Sequence, residues 1–422
     1  MTIQLHRLSL RGTAGQELES SLSIGTLPVP IARVSGPDDA LRRASKGLPQ
    51  GAAHAEALAV RARREGFELR WGEPDWAANL SSLLDFCCER GRSSVDLVRA
   101  DPSLTPEMEI GTWFDAGYRR RLARRAALQA PASVRDALVR ASGLAFWSGV
   151  RTAASKEEWT YLTRSSYVAL LYHRVAGENK PGQEKLDVSP RRFAAHLRLL
   201  RRLGFRPLSA DEVVSFHLGT LRTLLRRRFA LTIDDGTADC AEPLAAARWA
   251  TPQLFVSTAE VGGLAHWLAS EQLLSWTDLG SLVEAGVEVG SHARHHLELS
   301  QLSPVEIEDE LRGSMADLRR QLTRSIPVVA YPHGRNNELV RGVARDAGFE
   351  VGYATRKGRN GVATNRYALR RVSVYGYDGA LALLWKASTG EAIPRIWELW
   401  RARRTQLRRR FHRTRPAVAS SE

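Results

Sequence analysis

Phe229-Ala230-Leu231-Thr232-Ile233-Asp234-Asp235-Gly236 is the stretch on which the fold turns. Phe229, Leu231 and Ile233 alternate with other residues at the period of a buried strand. The strand ends in two consecutive carboxylates, and Gly236 permits a sharp turn directly after them. Buried carboxylates are costly unless something nearby needs negative charge. Consecutive side chains at a strand end point in different directions, so one acid can ligate a metal while the other addresses a water. Taken alone, the Asp-Gly pair also reads as an ordinary turn.

Two further strands converge on the same chemistry. Val287-Glu288-Val289-Gly290-Ser291 alternates and then runs into His292-Ala293-Arg294-His295-His296. His292 and His296 are four apart, so one helical turn or compact loop aims both imidazoles at a single point. His295 is the rival at spacing three. With Asp235, two histidines make a catalytic-type metal set that leaves a coordination position open. For the histidines alone, a His-rich surface loop is the competing reading. Pro327-Val328-Val329-Ala330-Tyr331-Pro332-His333-Gly334 is a third apolar strand, ended by a rigid proline and a glycine. Such a loop suits the presentation of backbone N–H groups to a developing oxyanion, although a plain strand-ending turn would look the same.

These three segments resemble the first three motifs of the polysaccharide deacetylases (NodB-homology domain, carbohydrate esterase family 4). Leu171-Tyr172-His173-Arg174-Val175 resembles the opening strand of the family branch with a Tyr-His-x-Val motif. Val188 to Phe193, Leu203 to Leu208 and Leu369 to Val372 fall where that branch places similar segments. The resemblance covers residues 166–385. It implies an α/β fold, a distorted (β/α) barrel, and removal of acetyl from an N-acetylated sugar in a polysaccharide or lipid-linked glycan. It also implies that Asp235, His292 and His296 hold a divalent ion, Zn²⁺ or similar, while Asp234 takes the proton of the attacking water. The backbone near His333 would stabilise the oxyanion. Arg370 or Arg371 would orient Asp234, because the arginine usual in the third motif is replaced here by Ala330. The family's late histidine acid has no counterpart, since the only histidine after His333 is His412. Ala293 stands where Ser or Thr is common. A deacylase of the same fold acting on an O-acetyl or non-glycan substrate is one alternative. A catalytically silent glycan-binding or scaffold protein is the other.

The rest of the chain sets boundaries on this reading. Its 422 residues exceed one small core and suggest two domains and a tail. A net charge of +15, carried mainly by arginine, raises nucleic acid, anionic lipid or acidic glycan as partners. No nucleic-acid motif accompanies it, so none is expected. Cys87, Cys88 and Cys240 cannot form a secreted-type disulfide framework. No signal-type core or run of ~18 apolar residues occurs. The expected location is therefore the cytoplasm or the cytosolic face of a membrane.

Residues 166–385 alternate strand and helix patterns, with helices starting at Ser189-Pro190 and Ser303-Pro304 and a third ending at Gly348. Residues 1–165 read as a mostly helical accessory region. In it, a stripe of Leu80, Leu83, Leu84 and Cys87 is closed by Gly91, and Arg-rich helices follow between Phe114 and Phe146. Gly66 to Pro102 is faintly similar to the carboxyl-terminal part of family 2 glycosyltransferases. Residues 386–422 form a basic tail whose tryptophans, Leu407 and Phe411 suit peripheral attachment to an anionic membrane.

Overall fold

The computed structural model describes residues 3–393 apart from 12–16, 21–33, 36–45, 62–67, 132–143, 177–185 and the shorter stretches 52, 54–56, 59, 79, 222 and 269. Of the basic tail 386–422, residues 386–393 are described and the helix Ala380–Thr389 runs into it, while residues 394–422, with the tryptophans, Leu407 and Phe411, lie outside the described residues. No helix among the described residues is long and apolar enough to cross a membrane.

The amino-terminal region has the expected helices and also a sheet that the sequence reading did not include. Strands β1 (Ile3–Arg11), β2 (Glu17–Ser20), β3 (Val34–Ser35) and β4 (Glu68–Ala78) pair in the order β2-β4-β1-β3. The helix that follows, Leu80–Ala100, does not stop at Gly91. It continues because that glycine is a crossing point, not a cap. The helix Ala145–Ala153 packs so closely that a Cβ on Gly91 would lie 2.9 Å from the carbonyl carbon of Phe146. Reciprocally, a Cβ on Gly149 would lie 2.8 Å from that of Cys88. Trp113 locks this core, its ring edge-on to Trp147 at 4.9 Å and to Trp159 at 5.5 Å. Gly149→Ala is therefore expected to destabilise the accessory core by about 1–3 kcal/mol, the usual cost of overpacking. Urea unfolding followed by tryptophan fluorescence would show it as a lowered midpoint, and an unchanged midpoint would mean the helices separate freely.

The barrel begins at β5 (Tyr167–Tyr172), buried along its whole length. After the short β6 (Arg174–Val175), β7 (Asp187–Val188) and β8 (Arg206–Pro207) comes β9 (Arg228–Ile233). Next are β10 (Gln253–Val256), the stubs β11 (Leu264–Ala265) and β12 (Glu271–Gln272), and β13 (Glu288–Ser291). β14 (Val328–Ala330), β15 (Val351–Tyr353) and β16 (Arg371–Ser373) complete the set. The parallel sheet runs β15-β14-β13-β10-β9-β5-β16, with β8 also on β9. A bridge from Tyr353 to Leu369, just before β16, brings the two ends together. Near-continuous apolar strands are what a sheet covered on both faces requires.

Serine caps set the helix starts. Ser189, Ser209, Ser275 and Ser303 each accept from a backbone N–H three residues on, as expected at Ser189 and Ser303. The helices Pro190–Arg202, Pro304–Gln321 and Glu338–Asp346 match the sequence pattern. Register then positions the site. Tyr172 pairs with Ile233, so His173 and Asp234 follow adjacent strands at the same level. Val256 pairs with Ser291, which brings His292 out at that end too. In such barrels the carboxyl ends of the strands carry the chemistry.

Candidate active site

Asp234 and Asp235 leave the carboxyl end of β9 on divergent paths. Asp235 and Gly236 both have φ of 72°, a reversal that costs glycine little and a carboxylate more. A Cβ on Gly236 would also lie 2.7 Å from Val256 Cγ1, so the turn has no room for a side chain. Ala293, His296 and His333 also hold positive φ, at 62°, 58° and 57°. Four of the chain's strained non-glycine residues thus sit around one point, as strain at a functional site does.

The two carboxylates have different partners. Asp234 is 3% exposed and receives both ends of the Arg371 guanidinium, Nη1 to Oδ1 at 2.6 Å and Nη2 to Oδ2 at 2.8 Å. Arg371 is wholly buried in the barrel, where its Nε donates to the Ala354 carbonyl at 2.9 Å and its cation lies over the Tyr353 ring. Arg370, its neighbour in sequence, faces the other way and donates to Phe114 O and Asp115 Oδ1, both at 2.8 Å. Of the two candidates, then, Arg371 meets Asp234 while Arg370 ties the barrel to the accessory region. Burial would raise the Asp234 pKa, but Arg371 and then His292 outweigh it and hold the group below the usual carboxylate value.

Asp235 instead faces imidazoles. Its Oδ1 lies 3.3 Å from His296 Nε2 and 3.8 Å from His292 Nε2, and the ligating atoms of all three residues lie within 4.8 Å of one another. Burial opposes ionisation here too, yet the His296 hydrogen bond and the fields of His173 and His292 keep the carboxyl ionised well below its usual range. His292 Nδ1–H donates to the Ala330 carbonyl at 2.6 Å, which fixes the tautomer and turns the Nε2 lone pair toward Asp235. Burial pushes the His292 pKa down to about 4, so the ring is neutral, as a metal ligand must be. Buried His296 Nδ1 has no hydrogen-bond partner, which leaves Nε2 as its working nitrogen. These donors fit a divalent ion. His295 does not join them, because its Nδ1 is held 2.6 Å from Glu310 Oε1. Glu310 Oε2 also accepts the N–H groups of Arg294 and His295, bracing the loop that carries the ligands.

His333 lies at the rim, exposed, its ring edge-on to His296 at 4.9 Å. Two residues were missed by sequence reasoning. Trp267 donates Nε1–H to Asp235 Oδ1 at 3.0 Å and stacks flat on His296 at 4.1 Å. It comes from the excursion between β11 and β12, where no periodicity or motif announces a site residue. His173, half-buried directly after β5, acts electrostatically on both Asp234 and Asp235. The signal for it was available, since a histidine ending an apolar strand matches the pattern of the other site segments.

Comparison with known proteins agrees with this geometry. The family model described as polysaccharide deacetylase matches residues 222–352, which span β9 to β15 and hold Asp234, Asp235, His292, His296 and His333. The chain carries a polysaccharide deacetylase domain. It is 27% identical over 208 residues to YxkH of Bacillus subtilis (strain 168), a protein assigned by name to the polysaccharide deacetylases. That match covers 49% of this chain and 70% of the relative. Among solved structures it is similar to the Streptococcus pyogenes deacetylase PplD in complex with acetate, at 23% identity and a TM-score of 0.47, covering 53% of this chain and 99% of the other. It is also similar to IcaB from Ammonifex degensii, at 23% identity and a TM-score of 0.44, covering 54% and 98%. The deacetylase domain makes the chain a hydrolase of amide or ester bonds of sugars, with an acetylated polysaccharide as its class of substrate.

Proposed function

We propose that the chain removes the N-acetyl group of an N-acetylated sugar, in a polysaccharide or a lipid-linked glycan, with Zn²⁺ or a similar divalent ion. What carries this reading is the division of labour between two adjacent carboxylates. Asp235 shares a focus with two imidazoles, while Asp234 is clamped ionised by an arginine and stays out of that focus. Asp235, His292 and His296 would hold the ion. When bound, it supplies Lewis acidity, polarising a carbonyl and making water nucleophilic at neutral pH.

The residues around it do the rest. Asp234 accepts the proton of the attacking water, and Arg371 keeps that carboxylate oriented toward it. Trp267 fixes both the Asp235 oxygen and the His296 ring plane, which restricts how each can turn. In the loop after β14, turn hydrogen bonds take up the N–H groups of Gly334 and Arg335 and leave that of His333 for the oxyanion. The half-exposed His173 is the group placed to protonate the leaving amine, the role for which the sequence offered no residue after His333.

His292→Ala is expected to lower affinity for the ion by at least about 100-fold, since one of three protein ligands is lost. Elemental analysis of wild type and variant after dialysis reads this directly, and equal metal content would remove His292 from the set. A panel of N-acetylglucosamine oligomers and O-acetylated sugars, assayed for acetate release, tests the substrate. Release only from esters would sink the amide reading.

A further inference from the structure

We propose that the protein has a second ligand site, for a phosphate-bearing anion, at the opposite end of the barrel from Asp234 and Asp235. The site is a cavity of about 380 Å³ between the helix Tyr118–Gln129 and the amino-terminal ends of β5 and β9. Six arginines line it: Arg121, Arg125, Arg164, Arg226, Arg227 and Arg359. Arg164 and Ser166 lead into β5, Arg226 and Arg227 lead into β9, and Arg359 reaches in from the loop before β16. The six-residue strands β5 and β9 separate this cavity from the deacetylase site by roughly 20 Å.

The positive charge there is not neutralised from within. Among the described residues, no carboxylate forms an ion pair with any of the six. The acid that acts on Arg121 is Glu391, whose Oε1 accepts the Tyr118 N–H at 3.4 Å. The guanidiniums are instead held by neutral carbonyls. Arg121 Nη1 donates to Ala116 O at 2.7 Å, Arg125 Nη2 to Thr163 O at 2.6 Å, and Arg359 Nη1 and Nη2 to Ser388 O and Ser166 O, each at 2.7 Å. Arg359 Nε also donates to Ser166 Oγ at 2.8 Å. These bonds fix the forks in place and cancel no charge. Burial pushes Arg121 and Arg359 both down to about 10, and Arg125 adds repulsion on each. Desolvated cations without a counter-charge are costly, and a bound oxyanion relieves both the repulsion and the desolvation.

The chemistry of the lining selects the ligand. Planar guanidinium forks match phosphate oxygens two at a time, and six of them call for a multiply charged group. The volume is near the lower end for ligand pockets, which fits a phosphate or diphosphate and not an extended glycan. The same group could arrive free or on a lipid, so the test has two arms. The full chain is titrated with inorganic pyrophosphate by calorimetry, and it is floated with phosphatidylcholine vesicles with and without phosphatidic acid. Arg164 and Arg226 are exposed, so Arg164→Glu with Arg226→Glu should fold, and Arg164→Gln with Arg226→Gln repeats the loss without inverting charge. Arg312→Glu with Arg319→Glu, exposed on the helix Pro304–Gln321 and outside the cavity lining, makes the same charge change elsewhere and is the distant variant.

We expect binding that weakens with salt and falls about tenfold or more in both cavity variants but not in the distant one. Loss confined to pyrophosphate identifies free phosphate as the source, and loss confined to acidic vesicles identifies the lipid. Wild type that binds neither probe, or cavity variants that bind as tightly as wild type, would overturn the proposal. Acetate release tested alongside separates this outcome from a failure of the deacetylase reading, since none of these substitutions touches that site.

Discussion

Asp234→Asn is expected to keep its metal and to lose turnover by about 10²–10⁴-fold, the usual cost of removing a general base. The substitution is nearly isosteric, so the barrel wall around Arg371 has no cavity to absorb. What it removes is the negative charge that Arg371 holds ionised and that would accept a proton. Asp235, His292 and His296 are untouched by it and still converge. Asp235→Asn should give the reverse pattern, with metal affinity falling first and turnover following. Elemental analysis and acetate release on both variants decide the matter. If Asp234→Asn loses the ion and Asp235→Asn keeps it, the two roles are exchanged.

Much of this site was legible in the sequence because strand ends announce themselves. Alternating apolar residues, a carboxylate or histidine pair and a glycine are local signals, and parallel register then lines those ends up at one level. The same locality marks where reading stopped. Whether His295 or His296 completes the set depends on Glu310, fifteen residues later on a different element. Arg370 and Arg371 are equal in sequence, and the choice between them follows from which one faces the barrel interior. Trp267 reaches Asp235 across a loop whose path no periodicity encodes. Gly91 was read as a helix stop because glycine commonly is one, whereas here it lets two helices touch. In each case the deciding partner is distant in sequence.

Arg371→Met is expected to be among the most damaging single changes in the barrel. It leaves Asp234 buried without its guanidinium, and breaking a buried pair from one side costs about 3–5 kcal/mol. The sign of the pH dependence distinguishes this from lost packing. In the wild type the Asp234 pKa is depressed, so the pair's contribution is present above the unfolded carboxylate value of ~3.9 and is lost as pH falls through the lower folded value. In the variant, burial acts without the arginine and raises that pKa. The folded variant then prefers a protonated Asp234, and its penalty is smallest in acid and grows as pH rises. The stability gap between the two proteins, measured by urea unfolding with chelator present, should therefore narrow from pH 7 to pH 4. Asp234→Asn combined with Arg371→Met should regain much of the lost stability while staying inactive, because the uncompensated charge is gone and so is the base. A gap that stays constant across that range, with a double variant no more stable than Arg371→Met alone, would assign the arginine's contribution to its packing over Tyr353 and remove it as the group that orients Asp234.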